Sequence, residues 1–171
     1  MKLHRIASVV LCSLLLANPV LADDKFTVEA AKEIEAVKLA RDTQAGGYKL
    51  LTVGELKSMM DEGKPMVIVD TMPEGSYKKE HIPGARNLVF PVSPMAAWDA
   101  GETAGKSEAD YLALLGEDKE RPVAVYCGFV KCTRSDNGAA WAKKLGYKNV
   151  YRVPGGLFAW KGAGLPLEDV K

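Results

Sequence analysis

An α/β fold, with a parallel sheet covered by helices on both faces, is predicted by three features of this 171-residue sequence. Two short apolar runs, Met66-Val67-Ile68-Val69 and Pro122-Val123-Ala124-Val125-Tyr126, lack the alternation of a half-exposed strand and read as strands buried on both sides. Segments of helical length with start and stop signals lie around them. Strands and helices then alternate along the chain, the order expected of βα units rather than of hairpins.

The elements follow in order. Residues 1–22 read as a signal peptide: Lys2 and Arg5 form a basic start, Ile6 to Leu16 is mostly apolar, and Val20-Leu21-Ala22 resembles a small-residue cleavage site. The apolar run is short against the roughly 20 residues that span a bilayer, so no stable membrane anchor is expected after cleavage. Leu11 stands where a small residue would precede a lipidated cysteine, which disfavours lipidation of Cys12. Residues 23–47 form a helical extension. Ala30, Ile34 and Val37 recur at helical spacing over 26–42, Thr27 is placed to cap the start, and Gly46-Gly47 closes the segment. Such a helix is expected to dock on the domain surface.

From Tyr48 to Lys171 the pattern is that of one domain. Lys49-Leu50-Leu51 suggests a short strand, and Thr52 and Glu55 match a capping box for a helix that runs to Glu62 and stops at Gly63. The strand at 66–69 leads into Asp70. Residues 86–106, with Pro91, Pro94, Gly101 and Gly105 and little periodicity, read as a long surface connection able to border a site. Ser107 and Asp110 cap a helix ending at Gly116. The strand at 122–126 runs directly into Cys127, a helix is expected from Asp136 to Leu145, and Asn149 to Arg152 supplies a last strand.

Composition narrows the function classes. Without residues 1–22 the chain has 149 residues, enough for one substantial core, and 21 basic against 22 acidic side chains with no dense basic block. Nucleic acid is therefore not an expected partner. Only Cys127 and Cys132 remain, with four residues between them, and export to a periplasmic or other extracytoplasmic space would place them where disulfides persist. One short-range bridge would hardly staple a domain of this size, so chemistry explains the pair better than structure. A zinc site is disfavoured, because His81 is the sole remaining histidine and structural zinc takes four ligands.

Ligands of open parallel sheets bind at the carboxyl ends of strands, which is where Cys127 falls. The stretch Cys127-Gly128-Phe129-Val130-Lys131-Cys132-Thr133-Arg134-Ser135 leads into a helix, whose N-terminus and free amides can gather around an anion. Lys131 and Arg134 would strengthen that field. A free thiol with pKa ~8.5 is mostly protonated at neutral pH, and such a loop would favour the nucleophilic thiolate. The same cradle would hold the oxyanion end of a sulfur donor and then stabilise a persulfide on Cys127. That chemistry needs no cofactor. Cys132 has three readings: a resolving thiol, a sulfur relay, or a small side chain filling an apolar gap. Asp70 could position loop groups or simply cap a strand end, and the three tryptophans, Trp98, Trp141 and Trp160, read mainly as packing.

Several motifs carry a family resemblance. His81-Ile82-Pro83-Gly84-Ala85 followed by Arg86-Asn87 resembles the signature found midway through rhodanese domains. Asp70 at a strand end, Tyr77 before His81, Tyr126-Cys127, Gly146-Tyr147, Pro154-Gly155-Gly156 with Phe158-Ala159-Trp160, and Gly164-Leu165-Pro166 agree with it in order, over roughly residues 48–168. The resemblance implies a five-stranded parallel sheet and a catalytic Cys127 persulfide. It also implies that Arg134 and Ser135 close the loop, while His81 ties down a turn. Six residues separate Cys127 from Arg134, whereas loops of the family usually hold four and related phosphatases five, so a wider pocket is expected. The implied activity is transfer of sulfane sulfur from a small sulfur-containing anion to cyanide or to a thiol acceptor, which a protein could supply. The alternatives are a thiol-disulfide or sulfur-binding module without turnover and, less favoured because the loop offers no general acid, a phosphatase or arsenate reductase.

Overall fold

The computed structural model describes residues 24–170, so the expected signal peptide lies outside the described residues. Five strands form one sheet: β1 (Lys49–Leu50), β2 (Val67–Asp70), β3 (Arg86–Asn87), β4 (Val123–Tyr126) and β5 (Val150–Val153), in the order β1-β5-β4-β2-β3. Every pairing is parallel. The continuous apolar runs behave as expected, with all four residues of both β2 and β4 buried.

Strand alternation divides the core between the two faces. Val67, Val69, Val123, Val125 and Val150 pack with Leu88, Phe90, Tyr111, Trp141 and Tyr147 on one side. Ile68, Ala124, Tyr126 and Val153 pack with Leu56, Ile82, Leu157 and Trp160 on the other, and Cys127 and Cys132 belong to this second cluster. Among the described residues there are six helices, α1 (Lys25–Gly46), which packs on α5, and α2 (Val53–Asp61), α3 (Glu74–Lys79), α4 (Glu108–Leu115), α5 (Thr133–Lys144) and α6 (Gly156–Gly162) around the sheet. The capping boxes Thr52/Glu55 and Ser107/Asp110 are both formed. Gly138 lets α5 lie close against the sheet, since a β-carbon there would sit 2.9 Å from Val125 Cγ1.

Several expectations are corrected. The cap of α1 is Asp24, whose side chain accepts the Phe26 N–H, rather than Thr27. This 22-residue helix buries none of its residues, and Ile34 of the expected apolar stripe is 70% exposed. Helix α5 begins at Thr133, three residues before the expected Asp136, because the chain turns into the helix directly after Cys132. The 86–106 segment is more than a surface connection. It opens with β3 and sends Leu88, Phe90 and Met95 into the core, where Asn137 donates to the carbonyls of Pro91 and Ser93 and accepts the Met95 N–H. Helices α3 and α6 are too short to show a helical period. Among the described residues no helix is long and apolar enough to cross a membrane.

Candidate active site

The strand order fixes where a site can form. From β2 the chain proceeds to β3 at one edge, whereas from β4 it proceeds to β5 on the opposite side, so the connections diverge between β2 and β4. The carboxyl ends of those two strands are the topological switch point of the sheet. Asp70 and Tyr126 face each other there in register, and Cys127 follows Tyr126. Thr71 secures this end by donating its N–H and its Oγ1–H to the Tyr126 carbonyl, at 3.0 and 2.7 Å.

The loop that starts at Cys127 is held on three sides. On the first, the amides of Leu157 and Phe158 at the start of α6 donate to the carbonyls of Cys127 and Gly128, both at 2.9 Å. Gly156 makes this approach possible. Its φ is +53°, and a β-carbon there would lie 2.0 Å from the Cys127 carbonyl oxygen. The Pro154-Gly155-Gly156 motif thus has a local physical cause. Phe158 also stands beside Phe129, with ring centroids 5.7 Å apart, and both rings are exposed at the rim of the loop.

On the second side stands Arg152 of β5, a fully buried residue that sequence reasoning passed over. Its Nη2 donates to the carbonyls of Val130 (3.0 Å) and Cys132 (2.9 Å), its Nε to Ser135 Oγ (3.1 Å), and its Nη1 to Tyr48 Oη (3.3 Å) and Asp42 Oδ2 (3.4 Å). Carbonyl and N–H point in opposite directions across a trans peptide. By holding two carbonyls, the guanidinium turns the amides of Lys131 and Thr133 away from itself, as a loop must if it is to show amides to an anion. Helix α5 adds its N-terminus beside the cysteines, with no side chain capping it. The signal for Arg152 was present in the sequence as a lone charge inside Val150-Tyr151-Arg152-Val153.

The third constraint is covalent: Cys127 and Cys132 form a disulfide, with Cα atoms 6.4 Å apart. The Cys132 N–H donates to the Phe129 carbonyl at 3.1 Å and closes a tight turn between the two cysteines. Both are buried, at 4% and 7% exposure. Of the other residues expected in the loop, Gly128 and Ser135 are buried within it, while Val130 and Thr133 are half-buried. The two expected cations are engaged at its outside. Lys131 pairs with Glu35 of α1 at 3.4 Å on the surface, and Arg134 donates to the Phe90 carbonyl. An exposed pair such as the first is worth under about 1 kcal/mol. Arg134 keeps its charge beside the loop while it donates to a neutral carbonyl, so the local positive field combines the amides, the α5 terminus and the guanidinium groups of Arg134 and Arg152.

Asp70 supports the site from below. Its Oδ1 accepts the Met72 N–H at 2.7 Å, and its Oδ2 is buried without a hydrogen bond, although the Tyr126 phenol is close enough to influence the charge. Burial raises the Asp70 carboxyl to about 6, against the opposing pull of the Met72 amide, Tyr126 and His81. His81 acts in the architecture. Its Nδ1 meets the Tyr77 carbonyl at 2.9 Å, its ring stacks on Tyr77, and its backbone pairs with Glu168. Trp160 is fully buried in the cluster that holds both cysteines, and its Nε1–H donates to the Pro166 carbonyl. An open cavity at the ends of β1 and β5, lined by Leu51, Val53, Pro154 and Ala159 among others, includes neither cysteine.

Known proteins agree with this arrangement. The Rhodanese-like domain family model matches residues 52–163. Rhodanese-like domain-containing protein 14, chloroplastic, of Arabidopsis thaliana is 28% identical over 131 residues, covering 61% of this chain and 58% of its own length. Among solved structures, the thiosulfate sulfurtransferase from Pseudomonas aeruginosa is similar at TM-score 0.56 and 18% identity, over 80% of this chain and 23% of that one. The polysulfide-sulfur transferase homodimer from Wolinella succinogenes is similar at TM-score 0.54 and 19% identity, over 81% and 92%. These two likenesses are of fold. The chain spans about half the length of the curated relatives it matches. With a parallel sheet of this order, a cysteine loop at its switch point and a family match across most of the domain, the chain belongs to the rhodanese-like domain family.

Proposed function

We propose that this chain is a periplasmic or otherwise exported sulfurtransferase that carries sulfane sulfur as a persulfide on Cys127. The donor is a small anion of the thiosulfate or polysulfide class, and the acceptor is cyanide or a thiol, which a protein could supply. One observation carries the reading: the cysteine stands at the switch point of the sheet, in a loop whose carbonyls are drawn off by Arg152 and α6. Amides left facing the opposite way suit the oxyanion of a donor and the negative charge of a persulfide. The thiolate of Cys127 attacks the outer sulfur of thiosulfate, the new sulfur–sulfur bond forms, and sulfite leaves with the electron pair of the broken bond. Because the disulfide consumes the nucleophile, transfer belongs to the reduced form.

The disulfide itself favours a second reading, a thiol-disulfide or sulfur-binding module that does not turn over. Mass spectrometry separates the two. Reduced protein is incubated with thiosulfate or polysulfide, and added sulfur is located in the wild type, Cys127→Ser and Cys132→Ser. Sulfur held on Cys127 in Cys132→Ser, and none in Cys127→Ser, is the expected result. Sulfur retained in Cys127→Ser and absent from Cys132→Ser would overturn the assignment of the nucleophile, and sulfur that is never taken up, or that cyanide does not remove from Cys127 of Cys132→Ser, would favour the module.

A further inference from the structure

We propose that Cys132 is a resolving thiol, through which the Cys127 persulfide is reduced and its outer sulfur released as sulfide. The inference rests on the persulfide reading above and assigns the fate of that sulfur. Its starting point is reach. The two sulfurs are bonded, and the Cα separation of 6.4 Å lies within the 4.4–6.8 Å that disulfides occupy. A Cys132 thiolate is therefore held where it can meet Cys127 Sγ.

The loop fixes this placement. The Phe129–Cys132 turn brings the second cysteine back toward the first, and Arg152 holds the carbonyls on either side of Lys131, those of Val130 and Cys132. A thiol positioned in this way competes with an external thiol at the effective concentration of an intramolecular group. Burial adds to the advantage, because both cysteines are more than nine-tenths covered and an external thiol must first reach them.

The choice of sulfur decides the chemistry. Attack on the outer sulfur only moves the persulfide to Cys132. Attack on Cys127 Sγ yields the disulfide, which is the state the structure holds. In that step the Cys132 thiol gives its proton to solvent, the Sγ–Sγ bond forms, and the bond between Cys127 Sγ and the outer sulfur breaks. Its electron pair leaves with hydrosulfide. Over uptake and resolution together, the donor's sulfane sulfur gains two electrons and the two cysteine thiols lose them. An external dithiol then reduces the disulfide by exchange and is itself oxidised to a disulfide, which returns Cys127 for another donor.

Sulfite and sulfide, measured together, test this step. The full chain is reduced with dithiothreitol, desalted without oxygen and given one equivalent of thiosulfate. Sulfite reports transfer to Cys127, and sulfide reports resolution. Wild type should release the two in equal amounts and finish with neither Cys127 nor Cys132 free and with no sulfur retained on either. In Cys132→Ser, sulfide per sulfite should fall to none and the persulfide should remain on Cys127, with Cys132→Ala giving the same ratio if the loss is chemical rather than structural. Retained persulfide beside a free Cys132 in the wild type, or an undiminished sulfide-to-sulfite ratio in both variants, would overturn the proposal. So would loss of sulfite from both variants while the wild type still makes it, since Cys132 would then be needed for uptake. No sulfite from any form, together with no added sulfur on Cys132→Ser exposed to polysulfide, would instead remove the persulfide reading on which the proposal stands.

Discussion

At Asp70 one carboxyl oxygen is satisfied and the other is not, in a position fully closed to solvent. Its carboxyl titrates near 6 in the folded chain, raised from an ordinary 3.8 mainly by burial. The folded state thus holds this proton more tightly than the unfolded chain does. Stability from this residue is greatest below the unfolded value and is lost as pH rises through about 6. Asp70→Asn keeps an acceptor for the Met72 amide and removes the titration. Wild type should lose roughly 2–3 kcal/mol relative to this variant between pH 4 and 7.5, read from denaturant unfolding at each pH. A difference that does not change with pH would show that Asp70 is not the group responsible. The sequence marked Asp70 and Cys127 because each ends an apolar run, and it placed Cys132 near Cys127 without deciding its role. Arg152 escaped because residue type alone gives a charged side chain little claim to a core position; only its five partners explain why it is there. Lys131 and Arg134 show the reverse case, in which position in the loop did not determine where a long side chain points.

Elements with a strong local signal were legible. Strands β2 and β4 declared themselves by continuous apolarity, and α2 and α4 by capping boxes. The two-residue β3 and the one- to two-turn α3 and α6 have too few residues to show a period, so tertiary contacts define them. Helix α1 announced its stop in Gly46-Gly47 but not its start, and its expected apolar stripe does not find the core. Polar contacts hold it instead, chiefly Asp42 against the buried Arg152 and, more weakly, Glu35 against Lys131. Asp42→Asn leaves the guanidinium without its carboxylate and should destabilise the protein by about 1–3 kcal/mol. Ile34→Ser, on the exposed face, should change stability by less than about 0.5 kcal/mol. Chemical denaturation of both variants measures the contrast, and equal effects would mean that α1 is not anchored through Asp42. Because Arg152 also holds the loop, the Asn variant should load sulfur on Cys127 more slowly.

Across the whole molecule the disulfide is a minor mechanical part. It closes a loop with a sequence separation of only 5 residues, for which chain entropy predicts about 2 kcal/mol. One apolar cluster includes neither cysteine, and the other is built mainly from side chains other than these two. Reduction should therefore lower the melting temperature by roughly 4–8 °C and leave one cooperative transition, as calorimetry with and without dithiothreitol can check. Loss of the transition would make the bridge a staple rather than a chemical device. Gly156 has the wider reach. Since it lets the Cys127 carbonyl rest on the amides of α6, the nucleophile shares a joint with a helix whose Trp160 is bonded to Pro166, and the segment beyond pairs with His81. The cysteine loop and the C-terminal segment are thus moored to one and the same two-turn helix, although they lie some forty residues apart along the chain.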